Sequence, residues 1–148
     1  MIQPMSAPRQ ALTFRVTHGD FSVTIIHPSV HTLEDLAESI ICSVYFDMDH
    51  CFGFYSNLKN VSPSEEEYTL FADIGEEVNE HDLGVKTTLL TSVFKPKKQM
   101  LFLFDYGDDW RFLVTCESIE ETKSMFRRPK ILNPSGNPPE QYPDYEAE

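Results

Sequence analysis

Two runs near the start of the chain, Ala11–His18 (ALTFRVTH) and Phe21–His27 (FSVTIIH), alternate apolar and polar positions on either side of Gly19-Asp20. Period-two alternation rich in β-branched and aromatic residues, broken by a Gly-containing pair, predicts a β-hairpin. The pattern then changes period. In HTLEDLAESIICSVYF, Leu33, Leu36, Ile40, Ile41 and Val44 fall on one helical face. Thr32 is placed to cap that helix, with Glu34 and Asp35 at the positive end of its dipole.

Two further strands are expected in HCFGFYSN and YTLFAD. Between them LKNVSPSEEE, crowded with Ser, Pro and charge, reads as an outer loop, as does the acidic run IGEEVNEHDLG. KTTLLTSVF sets Leu89, Leu90, Val93 and Phe94 on one helical face and predicts a short helix, although its threonines suit a strand. Met100–Tyr106 and Asp109–Glu117 form the strongest hairpin pattern in the chain, and Phe126–Leu132 adds an edge segment. The order β-β-α-β-β-α-β-β predicts an α+β fold: a mostly antiparallel sheet with one main helix packed on one face, in a single domain. The domain is expected over residues 10–132. Residues 133–148 (NPSGNPPEQYPDYEAE) hold four prolines and almost no aliphatic side chain, which predicts an extended or disordered acidic tail.

Charge narrows the functional classes. The chain has 148 residues with 24 acids against 12 bases, a formal net charge of -12. Thr32 to Asp82 carries thirteen of those acids and one base, Lys59. Phosphate backbones are bound by neutralising them with Lys and Arg, so direct nucleic-acid binding is not expected. Glu65, Glu66, Glu67, Glu76, Glu77 and Glu80 are instead candidates for contact with a basic protein partner. Cys42, Cys51 and Cys116 are odd in number and lack metal-ligand spacing, so neither a disulfide framework nor a zinc site is expected. No apolar run suits a signal peptide or a membrane span, and a cytoplasmic protein without cofactor is the expectation.

The candidate chemistry gathers in Asp105, Tyr106, Gly107, Asp108, Asp109, Trp110 and Arg111. Gly107-Asp108 is the natural two-residue loop, because Gly tolerates the positive φ that tight hairpins need. That register sets Asp105 opposite Trp110, Phe104 opposite Arg111 and Leu103 opposite Phe112. Asp105 would then accept the indole N–H or cap the turn, and Arg111 would pair with Asp109 or stack on Phe104. The competing reading gathers Asp105, Asp109 and His50 around a divalent cation. His50 sits in DMDHC, just after the main helix, where it could also touch the last helical carbonyls. His18, His27 and His31 lie near strand ends and add little. No G-x-S-x-G, H-E-x-x-H or phosphate-binding glycine loop is present.

The combination of TLEDLAESII, DHCFGFYSN, FLFDYGDDWRFLV and RRPKILNPSGNPPEQYP resembles the Ri-plasmid open-reading-frame-three-like proteins, also met as insertion-element passengers labelled resolvase. The resemblance runs from about Leu12 to Pro143, and its most specific piece is Phe104 to Trp110, with His50 a second match. It implies a small α+β domain of unassigned role. It also implies a histidine two residues after the tryptophan, where this chain has Phe112, so any cluster built on that histidine would lack a member here. A recombinase would need a nucleophilic Ser or Tyr among arginines, and Arg127-Arg128 has no such setting. The reading is therefore a non-catalytic binding or regulatory module, associated with a mobile element and acting through an acidic surface. The alternatives are a metal-dependent hydrolase using Asp105, Asp108, Asp109 and His50, and an acidic decoy that occupies the basic groove of a nucleic-acid-binding protein.

Overall fold

The computed structural model describes residues 9–75 and 83–143. The first hairpin forms as its alternation requires: β1 (Gln10–His18) pairs antiparallel with β2 (Phe21–Pro28), and Gly19 takes a φ of 58° in the two-residue connection. Alternate residues of both strands, Leu12, Phe14 and Val16 with Phe21, Val23 and Ile25, point to one side and are buried. Helix α1 (Leu33–Ser43) covers them with Leu33, Leu36, Ala37, Ile40 and Ile41. Thr32 caps it as expected, in a reciprocal box. Its hydroxyl accepts the Asp35 N–H, and the Asp35 carboxylate accepts the Thr32 N–H at 2.8 Å.

After α1 come β3 (Phe52–Tyr55), β4 (Glu67–Thr69), α2 (Leu70–Asp73), β5 (Leu83–Gly84), α3 (Leu90–Val93), β6 (Gln99–Phe104), β7 (Trp110–Glu121) and β8 (Lys130–Ser135). The eight strands form one sheet in the order β5-β4-β3-β6-β7-β1-β2-β8, antiparallel except for β4 with β5. The fold is thus mixed α+β with a mostly antiparallel sheet, but its element order departs from the expected one. YTLFAD is not a single strand: pairing ends at Thr69, whose hydroxyl accepts the Ala72 N–H at 3.1 Å and starts α2. The helix expected in KTTLLTSVF shrinks to one turn, with Leu89 exposed before it.

The β6–β7 register also differs. Phe104 faces Trp110, Leu103 faces Arg111 and Phe102 faces Phe112, one step from the expected pairing. In a strand one step exchanges the two faces. Met100, Phe102, Phe104, Phe112 and Val114 therefore look toward α1, whereas Leu101 and Leu103 join Tyr55 and Val61 in a small cluster on the other side. Beyond β7, β8 pairs with β2 and runs through Asn133–Ser135, so the expected start of the tail falls inside a strand. Among the described residues no helix is long and apolar enough to cross a membrane.

Candidate functional site

The one-step change of register comes from the connection between β6 and β7. Five residues, Asp105 to Asp109, lie between the strands. The positive φ values fall on the two aspartates, 62° at Asp105 and 58° at Asp109, and not on Gly107. Asp tolerates this region because its short carboxylate bonds locally. Asp105 Oδ1 accepts the N–H groups of Gly107 at 3.1 Å and Asp108 at 3.2 Å. Its own carbonyl accepts the Asp109 N–H at 2.6 Å. The Asp105 carboxylate is only 5% exposed, and these donors compensate its burial.

Asp105 therefore does not hold the indole. Trp110 packs edge-on against Phe46 at 5.0 Å and beside His18 at 5.7 Å, and its buried Nε1 has no hydrogen-bond partner. Arg111 pairs with Asp109 rather than stacking on Phe104: Nε lies 2.9 Å from Asp109 Oδ1, and Nη1 donates to the Lys59 carbonyl at 3.0 Å.

His50 is exposed and stands apart from the end of α1, because backbone N–H groups of Tyr45 and Phe46 already satisfy the Cys42 and Ile41 carbonyls. Its Nδ1 lies 2.7 Å from Asp49 Oδ1 and 3.5 Å from Asp105 Oδ2. The hydrogen bond to Asp49, followed by the charges of Asp105 and Asp108, raises the imidazole above its ordinary pKa. Tyr142 donates to Asp49 Oδ2 at 2.7 Å, which lowers the Asp49 carboxyl and pushes the Tyr142 phenol up to about 12. Alongside, the Gln141 side chain bonds both backbone groups of Asp47.

These bonds engage one ligand atom each of Asp105, Asp109 and His50. Asp105 Oδ1 is taken by two amides, Asp109 Oδ1 by a guanidinium, and His50 Nδ1 by Asp49. Among the described residues no group of three or more His, Cys, Asp or Glu side chains is placed to hold a metal ion.

The acidic candidates divide. Glu65 is exposed. Glu66 binds Lys98 Nζ at 2.7 Å and accepts the Tyr68 hydroxyl; burial pushes its carboxyl up, but these two bonds outweigh it and hold the pKa below its ordinary value. Glu67 is buried and accepts the Ser64 N–H at 3.3 Å, so it is not a surface residue. The loop before it stays mostly exposed, and Ser64, Asn57 and Ser56 side chains accept the N–H groups of Asn57, Lys59 and Glu66 within it. Glu76, Glu77 and Glu80 lie outside the described residues.

The structure also assembles a group that sequence reasoning passed over. His27 is fully buried, with Nε2 2.7 Å from Ser39 Oγ and Nδ1 2.8 Å from His31 Nδ1. Ser39 donates its hydroxyl to the Leu36 carbonyl at 2.9 Å. His27 Nε2–H then donates to Ser39, and its bare Nδ1 accepts from His31. Burial, then the neighbouring His31, lowers the His27 pKa to about 3, so it is neutral. The signal was available: His27 continues the inward series Phe21, Val23, Ile25, and Ser39 lies beside Leu36 and Ile40 on the buried face of α1.

A family model described as plasmid pRiA4b ORF-3-like protein matches residues 22–145. Among solved structures, the crystal structure of a protein of unknown function, MM3350 from Methanosarcina mazei Go1, has the same fold with a TM-score of 0.68 at 19% identity. The match covers 86% of this chain and 71% of that one. No curated protein matches the chain.

Proposed function

The chain belongs to the plasmid pRiA4b ORF-3-like family, and from that premise we propose that it is a non-catalytic binding module presenting an acidic surface to a basic protein partner. One observation carries the reading. Glu34, Asp35 and Glu38 crowd along α1, Asp47 follows its C-terminal end, and among the described residues none of the four has an ion pair. Glu34 and Asp35 suit the positive end of α1, and Asp35 caps it, but Glu34 and Glu38 stand four apart, and like charges at that spacing cost stability. The Glu38 carboxyl registers the crowding: partial burial raises its pKa first, and Glu34 and Asp35 raise it further. A cationic partner would relieve that repulsion. The Asp105 and Asp109 carboxylates of the β6–β7 turn, by contrast, are engaged in shaping the chain.

Titration with a lysine-rich peptide tests the proposal. Binding should weaken steeply as salt rises through physiological strength, where the Debye length is about 8 Å. The double variant Glu34→Gln/Glu38→Gln should weaken it about tenfold, a change of about 1.4 kcal/mol. An absence of binding at low salt, or affinity indifferent to the double variant, would exclude this surface.

A further inference from the structure

Four of the twelve basic residues line adjoining clefts beside β1, β7 and β8. Arg9 precedes β1, Lys123 follows β7, and Arg127 and Arg128 lead into β8; all four are exposed and none forms an ion pair. Between Arg9 and Arg127 lies a cleft of about 240 Å³ whose walls include Pro28, Val30, Met125 and Phe126. Val30 is 75% exposed and Met125 70%, a pair of bare apolar side chains bracketed by guanidinium groups. A shallower depression of about 410 Å³ continues the cleft, sharing Arg9 and Thr122 with it and adding Lys123 and one acid, Glu121. One wall is fixed by backbone bonds, Thr122 N–H to the Arg9 carbonyl and Ser29 N–H to the Gln10 carbonyl, both at 2.9 Å.

An apolar notch with two arginines in its lining makes a recognition pattern. We propose that this trough docks an extended acidic protein segment carrying one bulky apolar side chain, a second surface that adjoins the acidic one along α1 at Arg127. The notch has room for a single large side chain, which supplies the anchor. Carboxylates on either side of it reach Arg9, Lys123 and Arg127, whose arginine forks favour bidentate, charge-assisted bonds. Beyond Arg127, Asp35 and Glu38 border the neighbouring recess, so the acidic segment runs toward Lys123 and not over α1. At physiological ionic strength charges more than about 8 Å away are largely screened, and the local cations outweigh the net charge of the chain.

The test uses an end-capped fluorescent peptide Glu-Glu-Phe-Glu-Glu, with Gln-Gln-Phe-Gln-Gln, Glu-Glu-Ala-Glu-Glu and a single-stranded DNA oligonucleotide as comparisons. The whole protein should bind the first peptide saturably at or below about millimolar concentration. Either peptide substitution, and the double variant Arg9→Glu/Arg127→Glu, should weaken binding at least about tenfold, while circular dichroism shows the variant folded. No saturable binding, equal binding of the glutamine peptide, indifference to the double variant, or tighter binding of the oligonucleotide would overturn the proposal.

Discussion

The side-chain amide of Gln141 lies against the backbone of Asp47 as a neighbouring strand would: Oε1 accepts the Asp47 N–H at 2.6 Å and Nε2 donates to the Asp47 carbonyl at 3.1 Å. A third bond reaches Asp49 Oδ1 at 3.0 Å. Gln141 is only 8% exposed, and truncating it removes three partly buried hydrogen bonds. Gln141→Ala should cost about 1 to 3 kcal/mol. Gln141→Glu should cost as much, because a carboxylate cannot donate to the carbonyl and repels Asp49. Urea denaturation of the two variants checks this, and a midpoint unchanged in both would mean that the segment after β8 does not hold the Asp47 loop.

The β6–β7 turn separates shape from charge. Asp105→Ala removes the acceptor of two backbone N–H groups and a residue that tolerates its positive φ, and should destabilise by about 1 to 3 kcal/mol. Asp105→Asn keeps an acceptor oxygen and the same backbone tolerance, so it should retain most of that stability. Thermal melts of both variants decide between the roles. If Asn proves as harmful as Ala, the negative charge beside His50 matters more than the turn.

How much of this was legible follows from where each residue's partners lie. The first hairpin and α1 could be read because their determinants are local: a Gly-containing pair between alternating runs, and Thr32 three residues before Asp35. The Phe104 to Trp110 turn was recognisable as a turn, yet its register was not, since Asp105 and Asp109 share the left-handed positions that glycine was expected to supply. Glu67 and Gln141 looked like surface residues because their burial depends on side chains that satisfy neighbouring backbone. His27, Ser39 and His31 join two elements through tertiary packing, although the inward period of β2 already pointed at His27.

Glycine substitutions provide an independent check on that turn. Gly107 has no positive φ, and a Cβ there would meet only Asp105 Oδ1 at 3.4 Å, an ordinary contact. Gly107→Ala should therefore change stability by less than about 1 kcal/mol. Gly136, just past β8, has a φ of 79°, and a Cβ would collide with the Asp20 carbonyl oxygen. Backbone cannot yield as a side chain can, so Gly136→Ala should detach the end of β8 from the first hairpin and cost more than about 2 kcal/mol. Denaturant midpoints would reveal a reversed ranking, which would place the strain in the β6–β7 turn after all.

Acid sensitivity should begin near neutrality. The folded pKa of His27, about 3, lies below its value in the unfolded chain, roughly 6.5. Between those values the unfolded chain binds a proton that the folded protein refuses, so stability is full above roughly pH 6.5 and falls as pH drops, by about 1.4 kcal/mol per unit. His50 acts oppositely, because its raised folded pKa adds stability at low pH that is lost as pH rises through it. Asp49, with its lowered pKa, adds stability above the ordinary carboxylate range and loses it only in stronger acid. Glu38, with its raised pKa, also adds stability as pH falls, so of the shifted groups only His27 makes stability drop steeply between roughly pH 6.5 and 5. Urea midpoints in a His50→Gln background should fall across that interval, and the additional change His27→Gln should flatten the slope. A background protein equally stable at both ends of the interval would mean that His27 takes up its proton without unfolding the contact to Ser39.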